Sequence, residues 1–485
     1  MIRLCVASNK KRMELENWLR SAGIPVLPPP AEGGSPEEEV AGARGILCWY
    51  DADFQHNDDC MRALRAAWLP AAAHGQLARR VYFILPAHYS DPRALHEAGR
   101  SRPELDLLFF PEPPSVEARA ELATVLAERL PTTPFSSLIL PEVPRWGTPP
   151  DIHSSFWGRD PELWELHGLL LESRQVAVSG RDRPLPVYVT GMGGVGKSRL
   201  VLEYTRHFGS AWPGGIFWMG RGDGDLWPAL CDQVGIAAGP QEQREARLKE
   251  MLEKSPPYLW VLDDPVEPVE PAPTAQGCSL ICRREASGLG RSLVLRDLPE
   301  EAALQLLGHP VPPELATRVW ARVGGLPLAL EVVGALLRSE GVAAVERLWE
   351  PRPEQQEEAT HVSVVRQGLQ RLSDGARDLL RLATLVEQGP IPKLLAMELL
   401  KTVDGLEAEE AEELLWIHID EAASLAMLQA ESSSFRVHAL IQSLVQQEAA
   451  VRADQLEERL AGVLLDLLNR PPTGTTPKWV LLRPL

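Results

Sequence analysis

The stretch Gly191-Met-Gly-Gly-Val-Gly-Lys197-Ser198 decides the fold of this chain. The apolar run Val187–Thr190 precedes it, and the helix-like run Arg199–Tyr204 follows it. This is the complete G-x-x-x-x-G-K-S pattern between a strand and a helix. Glycines there let backbone N–H groups turn inward without Cβ clashes, and the helix N-terminus adds to a concave anion site. The sequence therefore predicts a phosphate-binding loop in an α/β domain.

The side chains of this loop have separate expected roles. Lys197 is expected to reach the β- and γ-phosphates of a nucleotide, and Ser198 to ligate Mg²⁺. A chance glycine-rich turn is the alternative, but the flanking strand and helix and a second motif downstream argue against it. The expected nucleotide-binding residues of the loop and its helix are Gly191, Gly193, Gly194, Val195, Gly196, Lys197, Ser198 and Arg199.

The second motif is Tyr258-Leu-Trp-Val-Leu-Asp263-Asp264, an apolar strand that delivers two acids at its carboxyl end. Asp263 is expected to hold Mg²⁺ through water, and Asp264 to act in catalysis by orienting an attacking water. A strand-ending turn is the structural alternative. The pairing of this strand with the phosphate-binding loop favours the functional interpretation.

Length and charge bound the rest of the chain. Its 485 residues are enough for three or four domains, and 45% hydrophobic and 24% charged residues are typical of globular proteins. A formal net charge of -18 argues against a broad nucleic-acid-binding surface, which needs clustered Lys and Arg. We therefore expect no nucleic acid among its partners.

Cysteine usage and hydropathy point to a cytoplasmic protein. Six cysteines over this length form no disulfide framework, and Cys278 and Cys282 lack the second pair that a zinc site needs. The N-terminus lacks a signal-peptide pattern. No apolar stretch reaches the ~20 residues that span a bilayer, so no membrane partner is expected.

The first 130 residues alternate short apolar runs with amphipathic ones, which predicts a parallel sheet covered by helices on both faces. The expected strands are Ile2–Val6, Ile24–Leu27, Gly45–Tyr50, Val81–Leu85 and Leu105–Phe110, and the expected helices are Lys11–Ala22, Pro36–Arg44, Asp58–Ala73 and Val116–Leu130. Ligands of such sheets gather at the carboxyl ends of the strands. The loops Pro28–Ser35, Asp51–Asp59 and Ala87–Pro92 are therefore expected around one crevice.

This order of elements resembles a Toll/interleukin-1 receptor (TIR) domain, which implies a flavodoxin-like parallel five-stranded sheet. Pro28–Ser35 resembles the BB loop of that family, and Asn57–Ala67 resembles its third helix. In that helix the family has a small or acidic residue, Cys, two variable residues, Glu and Leu. Bacterial TIR domains of this kind hydrolyse NAD⁺ with that Glu, and Ala63 stands at its position.

An alanine has no acceptor to stabilise an oxocarbenium-like centre, so Ala63 implies that this chain does not cleave NAD⁺. Two explanations are open: a naturally silent scaffold that recruits partners, or an inactivated form of an NAD⁺ nucleosidase. The pattern retained from Cys60 to Ala67 favours the second. A Glu at position 63 is then expected to restore NAD⁺ cleavage.

From Phe156 onward the chain resembles the STAND NTPases of the NB-ARC and NACHT group. Phe156-Trp-Gly-Arg159 resembles the element before their ATPase core, which implies that Arg159 lies on the adenine side. Cys278–Arg284 resembles their strand ending in Thr-Thr-Arg, which implies that Arg284, or its neighbour Arg283, senses the γ-phosphate. Gly324–Leu330 resembles the GLPLA motif and implies that Pro327 lies against adenine.

The C-terminal part predicts helices over Arg366–Asp378, Leu379–Val386, Ile391–Leu400 and Glu407–Ile417 and a hairpin of Ala426–Gln429 with Phe435–His438. Such an order suggests a winged helix, here without the basic helix that DNA binding requires. In STAND proteins this domain latches ADP. Val437–Gln442 matches the Met-His-Asp-like site of the family, which implies that His438 reaches the ADP β-phosphate.

Together the two resemblances imply a TIR-like domain over 1–130, a linker over 131–155, a P-loop domain over 156–295, a helical subdomain over 296–352, a winged helix over 353–451 and a helical segment over 452–485 that leads to a missing or absent sensor. They imply a bacterial, anti-phage immune receptor in which ATP replaces ADP. The open form is expected to homo-oligomerise in response to an unidentified trigger, with phage-derived molecules among the candidates. A STAND-type transcription regulator is the further alternative.

Overall fold

The computed structural model of the protein describes residues 1–28, 36–49, 54, 57–86, 108–112, 116–140, 142–147, 149–150, 156–178, 183–220, 226–236, 239–265, 269–286, 289–307, 311–348, 360–385, 390–447, 459–460 and 462–463. The predicted loops Pro28–Ser35 and Ala87–Pro92 lie almost wholly outside the described residues, as does most of Asp51–Asp59. The predicted segment 452–485 lies largely outside them too.

The N-terminal domain is a parallel sheet in the order β1-β2-β3-β4. Val26 adds a single parallel bridge to Ile2 on the outer side of β1, where the sequence predicts a full strand. The described part of this domain thus has a four-stranded sheet where the sequence predicts five strands, because the segment at Val26 pairs at a single position. The elements are β1 (Ile2–Cys5), α1 (Asn9–Ser21), α2 (Pro36–Ala41), β2 (Gly45–Trp49), α3 (Asp58–Ala73), α4 (Leu77–Arg80), β3 (Val81–Pro86), β4 (Leu108–Glu112) and α5 (Val116–Arg129).

The central domain holds a six-stranded parallel sheet in the order β10-β6-β9-β8-β7-β5. Its inner strands are buried along nearly their whole length, which explains their continuous apolar runs. The elements are β5 (Arg145–Gly147), α6 (Asp160–Val178), β6 (Val187–Thr190), α7 (Lys197–His207), β7 (Ile216–Gly220), α8 (Leu226–Gln233), α9 (Gln241–Lys254), β8 (Tyr258–Asp263), β9 (Gly277–Arg283) and β10 (Arg291–Val294).

The segment 131–155, predicted as a linker, contributes structure to both domains. Phe135 is buried, and its N–H donates to the Ala43 carbonyl of the N-terminal domain. Ten residues later, β5 forms the edge of the central sheet, where Trp146 stacks on Phe217 at 4.5 Å. Ten residues therefore separate a position that is bound to the N-terminal domain from one that is bound to the central sheet.

The remaining helices form a helical region and a C-terminal module. The helical region contains α10 (Glu300–Leu307), α11 (Pro313–Val323), α12 (Pro327–Glu340), α13 (Val342–Arg347) and α14 (Thr360–Leu369). The C-terminal module contains α15 (Asp374–Leu385), β11 (Ile391–Pro392), α16 (Lys393–Asp404), α17 (Ala408–Ser424), β12 (Gln429–Ala430), β13 (Ser434–Arg436) and α18 (Ala439–Gln447). Its three short strands form an antiparallel sheet in the order β11-β13-β12.

The continuous helix predicted over Arg366–Asp378 is wrong, because α14 ends at Leu369 and α15 begins at Asp374. The carboxylate of Glu421 accepts hydrogen bonds from the Ser373 N–H and hydroxyl, both at 2.6 Å. The Ser373 hydroxyl also accepts from the Ala376 N–H at 3.2 Å, as an N-cap does. A tertiary contact with α17 thus decides where the helix breaks.

Within the described part of the chain, none of the helices combines the length and the apolar composition that crossing a membrane requires.

The edge strand β5 gives a stability prediction. Gly147 has φ +97, and a Cβ there would overlap the Trp218 carbonyl oxygen of β7. We expect Gly147→Ala to lower the free energy of unfolding by ~1–3 kcal/mol, because it adds both backbone strain and a steric clash. Urea denaturation followed by circular dichroism measures the change.

The matched control is Gly239→Ala. No atom lies within 4 Å of the added Cβ at that exposed position. Equal unfolding midpoints for the two variants would contradict the close approach of β5 to β7.

Candidate functional site

The predicted phosphate-binding loop joins the central strand β6 to the start of α7. Gly191, Gly194 and Gly196 all have positive φ, at +142, +84 and +95. A Cβ on Gly191 would lie 2.6 Å from the Leu295 carbonyl oxygen. The spacing of glycines in the sequence is thus required by the backbone of the loop, which L side chains would strain and block.

Lys197 closes this loop through its side chain. Its ammonium donates hydrogen bonds to the carbonyl oxygens of Gly191, at 3.0 Å, and Met192, at 2.9 Å. Desolvation lowers the pKa of Lys197, and Arg284 lowers it further, while the charges of Asp263 and Asp264 act in the opposite direction. The loop therefore surrounds a cation that is partly removed from water.

Ser198 and Asp263 lie side by side. The Ser198 hydroxyl donates to the Asp263 carboxylate at 2.8 Å, although one strand, β9, lies between β6 and β8. Burial and the neighbouring charge of Asp264 raise the pKa of Asp263, and the Ser198 hydrogen bond and the charge of Arg436 oppose that shift. A hydroxyl and a carboxylate side by side match the hard oxygen donors that Mg²⁺ prefers, so the residues present fit this ion.

Asp264 stands in an uncommon backbone conformation. Its φ is +52, in the left-handed region that few residues other than glycine adopt, and its N–H donates to the Cys282 carbonyl at 3.0 Å. Strained backbone of this kind clusters at functional sites. The conformation turns the chain at the carboxyl end of β8, directly after Asp263.

The two arginines after β9 lie beside the same loop. The Gly191 N–H donates to the Arg284 carbonyl at 3.2 Å, so the backbone of Arg284 lies beside the first residue of the loop. Its side chain is exposed, and its charge acts on both Lys197 and His438. Arg283 is the last residue of β9 and is half-buried. The charge of Arg284 therefore reaches the loop lysine.

Arg159 is buried, at 4% exposure, just before α6. Its guanidinium donates to the carbonyl oxygens of Val195, at 3.4 Å, and Arg296, at 2.5 Å, and it pairs with Glu162 at 2.7 Å. The structure thus places Arg159 behind the phosphate-binding loop, where it holds the Val195 carbonyl.

The motif Gly324–Leu330 also reaches the loop. Pro327 is the first residue of α12, and the next N–H, that of Leu328, donates to the Gly194 carbonyl at 3.3 Å. A Cβ on Gly194 would lie 3.0 Å from the Leu328 Cβ. A backbone hydrogen bond thereby connects the helical region to the phosphate-binding loop.

His438 approaches the loop from the C-terminal module. Its Cε1 lies 3.9 Å from the place that a Cβ on Gly193 would occupy. Its Nδ1 accepts a hydrogen bond from the Leu440 N–H at 3.1 Å, which leaves the proton of the neutral ring on Nε2. Solvent reaches the ring, but the protein around it desolvates it, and with the charges of Lys197 and Arg284 this lowers the pKa of His438 to about 4.

Arg199 lies two residues after Lys197, in the first turn of α7. Its guanidinium pairs with Glu203 one turn later, at 2.9 Å, and lies 5.9 Å from the centre of the Phe156 ring. The contact with Phe156 links α7 to the segment before α6. Its expected nucleotide contact stays a prediction.

Arg436 is a member of the site that the sequence interpretation missed. It pairs with Glu431 at 2.8 Å within the hairpin of β12 and β13, and its charge opposes the raised pKa of Asp263. The available signal is its position two residues before His438, because alternate residues of an extended segment share a face.

Ala63 lies in the core and not in an open cleft. It is 3% exposed, in the hydrophobic cluster that also contains Cys60 and Ala67. These three residues share one face of α3, and the Cys5 thiol of β1 donates to the Cys60 carbonyl at 3.4 Å, which places that face on the sheet. A side chain at position 63 therefore points into apolar surroundings.

Comparison with known proteins returns distant structural likeness. No family model and no curated relative matches the chain. A STAND protein with a tetratricopeptide repeat sensor from Pyrococcus horikoshii is similar at 16% identity and a TM-score of 0.45, over 67% of this chain and 47% of that one. This chain thus spans about half the length of that protein.

Two further solved structures have the same kind of likeness. A Walker-type ATPase of Pyrococcus abyssi has 13% identity and a TM-score of 0.26, over 56% of this chain and 94% of that one. A RuvB variant of Thermotoga maritima has 14% identity and a TM-score of 0.25, over 61% of this chain and 97% of that one.

The charges around His438 give a titration prediction. Because Lys197 lowers the pKa of His438, the variant Lys197→Met is expected to raise that pKa from about 4 toward the ordinary 6.5. NMR of the protein with labelled histidines measures the pKa of His438. The control is Lys249→Met, which removes a lysine whose ammonium lies over the Trp227 ring. An unchanged His438 pKa in Lys197→Met would contradict the proximity of the two side chains.

The same lowered pKa fixes the sign of a pH effect on stability. The unfolded chain binds a proton at His438 near pH 6.5, whereas the folded chain binds it only near pH 4. Protonation therefore favours unfolding, and the stability that the neutral ring allows is lost as the pH falls through this interval. His438→Gln should lose less stability between pH 6.5 and 4 in urea titrations than the unaltered chain does, and an equal loss would contradict this.

Proposed function

We propose that this chain is a nucleotide-dependent switch of the STAND type, with ATP and ADP as its ligands. The observation that carries the proposal is the place of His438, which belongs to the C-terminal module yet lies beside Gly193 of the phosphate-binding loop. A phosphate group held by that loop would then also lie close to the C-terminal module. The occupant of the loop can therefore bias how the two parts sit together.

The loop has the parts needed to hold phosphate. Lys197 donates to two loop carbonyls, and a nucleotide phosphate is a stronger acceptor for the same ammonium. Ser198 and Asp263 are the residues that would hold Mg²⁺, which neutralises phosphate charge when bound. Arg159 and Leu328 hold the carbonyls of Val195 and Gly194 from behind, so the loop keeps its shape.

ADP is proposed to favour the arrangement seen here. The neutral His438 ring carries its proton on Nε2, which is suited to donate to a β-phosphate oxygen. A third phosphate adds bulk and charge beside this ring, while the planar fork of Arg284 provides donors for the added oxygens. A shift from 1:99 to 99:1 needs ~5.5 kcal/mol of differential binding, which a few charge-assisted hydrogen bonds at about 1.5–3 kcal/mol each supply.

ATP hydrolysis is proposed to return the switch to the ADP form. Asp264 follows Asp263 directly, and its backbone conformation turns it away from the line of β8. Its carboxylate is the proposed group that orients the attacking water. ATP hydrolysis at this site is expected to be slow.

Release of the C-terminal module is proposed to expose surfaces through which copies of the chain homo-oligomerise and bring their N-terminal domains together. A cytoplasmic, anti-phage immune role with a TIR-like N-terminal domain is the finer form of this proposal. The burial of Ala63 favours the scaffold version, in which that domain recruits partners, over NAD⁺ cleavage. A carboxylate at position 63 would enter an apolar core, where its desolvation is costly.

A transcription regulator is disfavoured by the charge of the C-terminal module. Its longest helix, α17, exposes Glu409, Glu410, Glu412 and Glu413 along its first turns. A helix that contacts DNA phosphates needs Lys and Arg at such positions.

Nucleotide binding through the loop is tested with Lys197→Ala. We expect its affinity for ADP to fall about 10- to 150-fold, because one charge-assisted hydrogen-bonding group is lost. Isothermal titration calorimetry measures the dissociation constant. The control is Lys254→Ala, which removes an exposed lysine that pairs with Glu250. Equal affinities of Lys197→Ala and the control would overturn the proposed site.

Hydrolysis is tested with Asp264→Asn, which retains the shape of the side chain. We expect phosphate release from ATP to slow by about 10²-fold or more, while ATP binding changes only a few-fold. Asp232→Asn is the control, since that surface carboxylate pairs with Arg244. Undiminished hydrolysis in Asp264→Asn would remove this residue from the mechanism.

A further inference from the structure

The two consecutive residues Arg159 and Asp160 are both buried, at 4% and 6% exposure, and each contacts a different part of the molecule. Arg159 holds the Val195 carbonyl of the phosphate-binding loop and the Arg296 carbonyl after β10. Asp160 forms an ion pair with Arg65 of α3, in the N-terminal domain. Adjacent Cα atoms lie about 3.8 Å apart, so a shift of one of these residues moves the other.

Aromatic side chains extend the contact between α3 and α6. The Trp164 ring lies edge-on to Trp68 of α3, with 5.6 Å between the ring centres, and its indole N–H donates to the Met61 carbonyl at 3.4 Å. On its other side Trp164 meets Phe208, directly after α7, at 5.2 Å. The helix that begins at the phosphate-binding loop and the N-terminal domain therefore share one buried neighbour.

The start of α6 is fixed in place on the nucleotide side. Gly158 has φ +65, and a Cβ there would overlap Ala302 of α10. The Leu163 N–H donates to the Arg159 carbonyl at 3.0 Å, so the helix begins directly at this pair. The backbone on both sides of Arg159 and Asp160 is therefore closely packed or hydrogen-bonded.

We propose that Arg159 and Asp160 couple the occupant of the phosphate-binding loop to the docking of the N-terminal domain, with the Asp160–Arg65 ion pair as the latch. The inference rests on the proposed function, since it needs a nucleotide that changes the loop. Asp160 is a positioning residue that acts through Arg159. When the loop moves, the buried carboxylate of Asp160 is drawn from Arg65, and the N-terminal domain loses this buried ion pair with α6.

Linkage makes this coupling reciprocal. If ADP strengthens docking of α3, loss of docking weakens ADP binding by the same factor, and typical coupling factors are about 5- to 150-fold. Arg65→Gln removes the latch from the side of the N-terminal domain. It is expected to raise the ADP dissociation constant at least about 5-fold, although Arg65 lies outside the nucleotide site.

The experiment uses the full chain and a fluorescent ADP analogue. The dissociation constant is measured for the unaltered chain, for Arg65→Gln, for Arg65→Lys, which keeps the charge, and for Arg20→Gln. Arg20→Gln is the matched control, because Arg20 belongs to the same domain but pairs with Glu16 at the surface. We expect a weakened affinity in Arg65→Gln, a smaller change in Arg65→Lys and none in Arg20→Gln.

A second measurement needs no substitution, and it decides the matter if Arg65→Gln does not fold. Hydrogen exchange of the unaltered chain is followed by mass spectrometry with and without ADP. ADP is expected to slow exchange in α3 but not in α1, which lies apart from the contact. Unchanged exchange in α3 with ADP bound would overturn the coupling.

The outcomes separate this inference from the proposed function. If the unaltered chain binds ADP, Lys197→Ala does not, and neither α3 exchange nor the affinity of Arg65→Gln changes, the coupling is wrong and the nucleotide site stands. If the unaltered chain does not bind ADP, both are overturned. Equal losses of affinity in Arg65→Gln and Arg20→Gln would also overturn the coupling, because they show an effect of charge alone.

Discussion

The backbone of the loop between Thr190 and Lys197 is held by groups from separate parts of the chain. Lys197 donates hydrogen bonds to two of its carbonyl oxygens. Arg159 donates to the Val195 carbonyl, and the Leu328 N–H donates to the Gly194 carbonyl. His438 lies against Gly193 from yet another part. Because these carbonyls are hydrogen-bonded, the loop has a defined shape. A phosphate group that binds in the loop can retain these hydrogen bonds or replace them.

Local charge explains why this loop suits an anion in a chain that is acidic overall. The charges of Lys197, Arg284 and Arg436 act at this loop, and Asp263 accepts a hydrogen bond from Ser198 at its end. Burial raises the pKa of Asp263, and the neighbouring charge of Asp264 raises it further. A divalent cation relieves that repulsion, so the arrangement has a physical reason to take up metal and phosphate together.

Much of this site is predictable from the sequence because its signals are local. The glycines, Lys197 and Ser198 follow one another, and the buried run before Asp263 identifies its strand. Four strands of the N-terminal sheet likewise follow from apolar runs. The single bridge at Val26 falls short of the predicted strand, because that segment contacts β1 at one position only.

The features that escape the sequence depend on contacts between distant segments. β5 is three residues long and owes its place to β7, and the break before α15 depends on Glu421 of another helix. Ala63 is a further case, since a motif comparison cannot show that its helix face packs on a sheet. Its burial follows only from the folded position of α3.

In the proposed function, the bound nucleotide decides how the C-terminal module sits on the central domain. The most direct test is the distance between spin labels on Gln243→Cys of α9 and Gln446→Cys of α18, both exposed positions in a chain whose six native cysteines are all buried. We predict one narrow distance distribution with ADP and a shifted one with ATP and Mg²⁺. Identical distributions with both nucleotides bound would contradict the account.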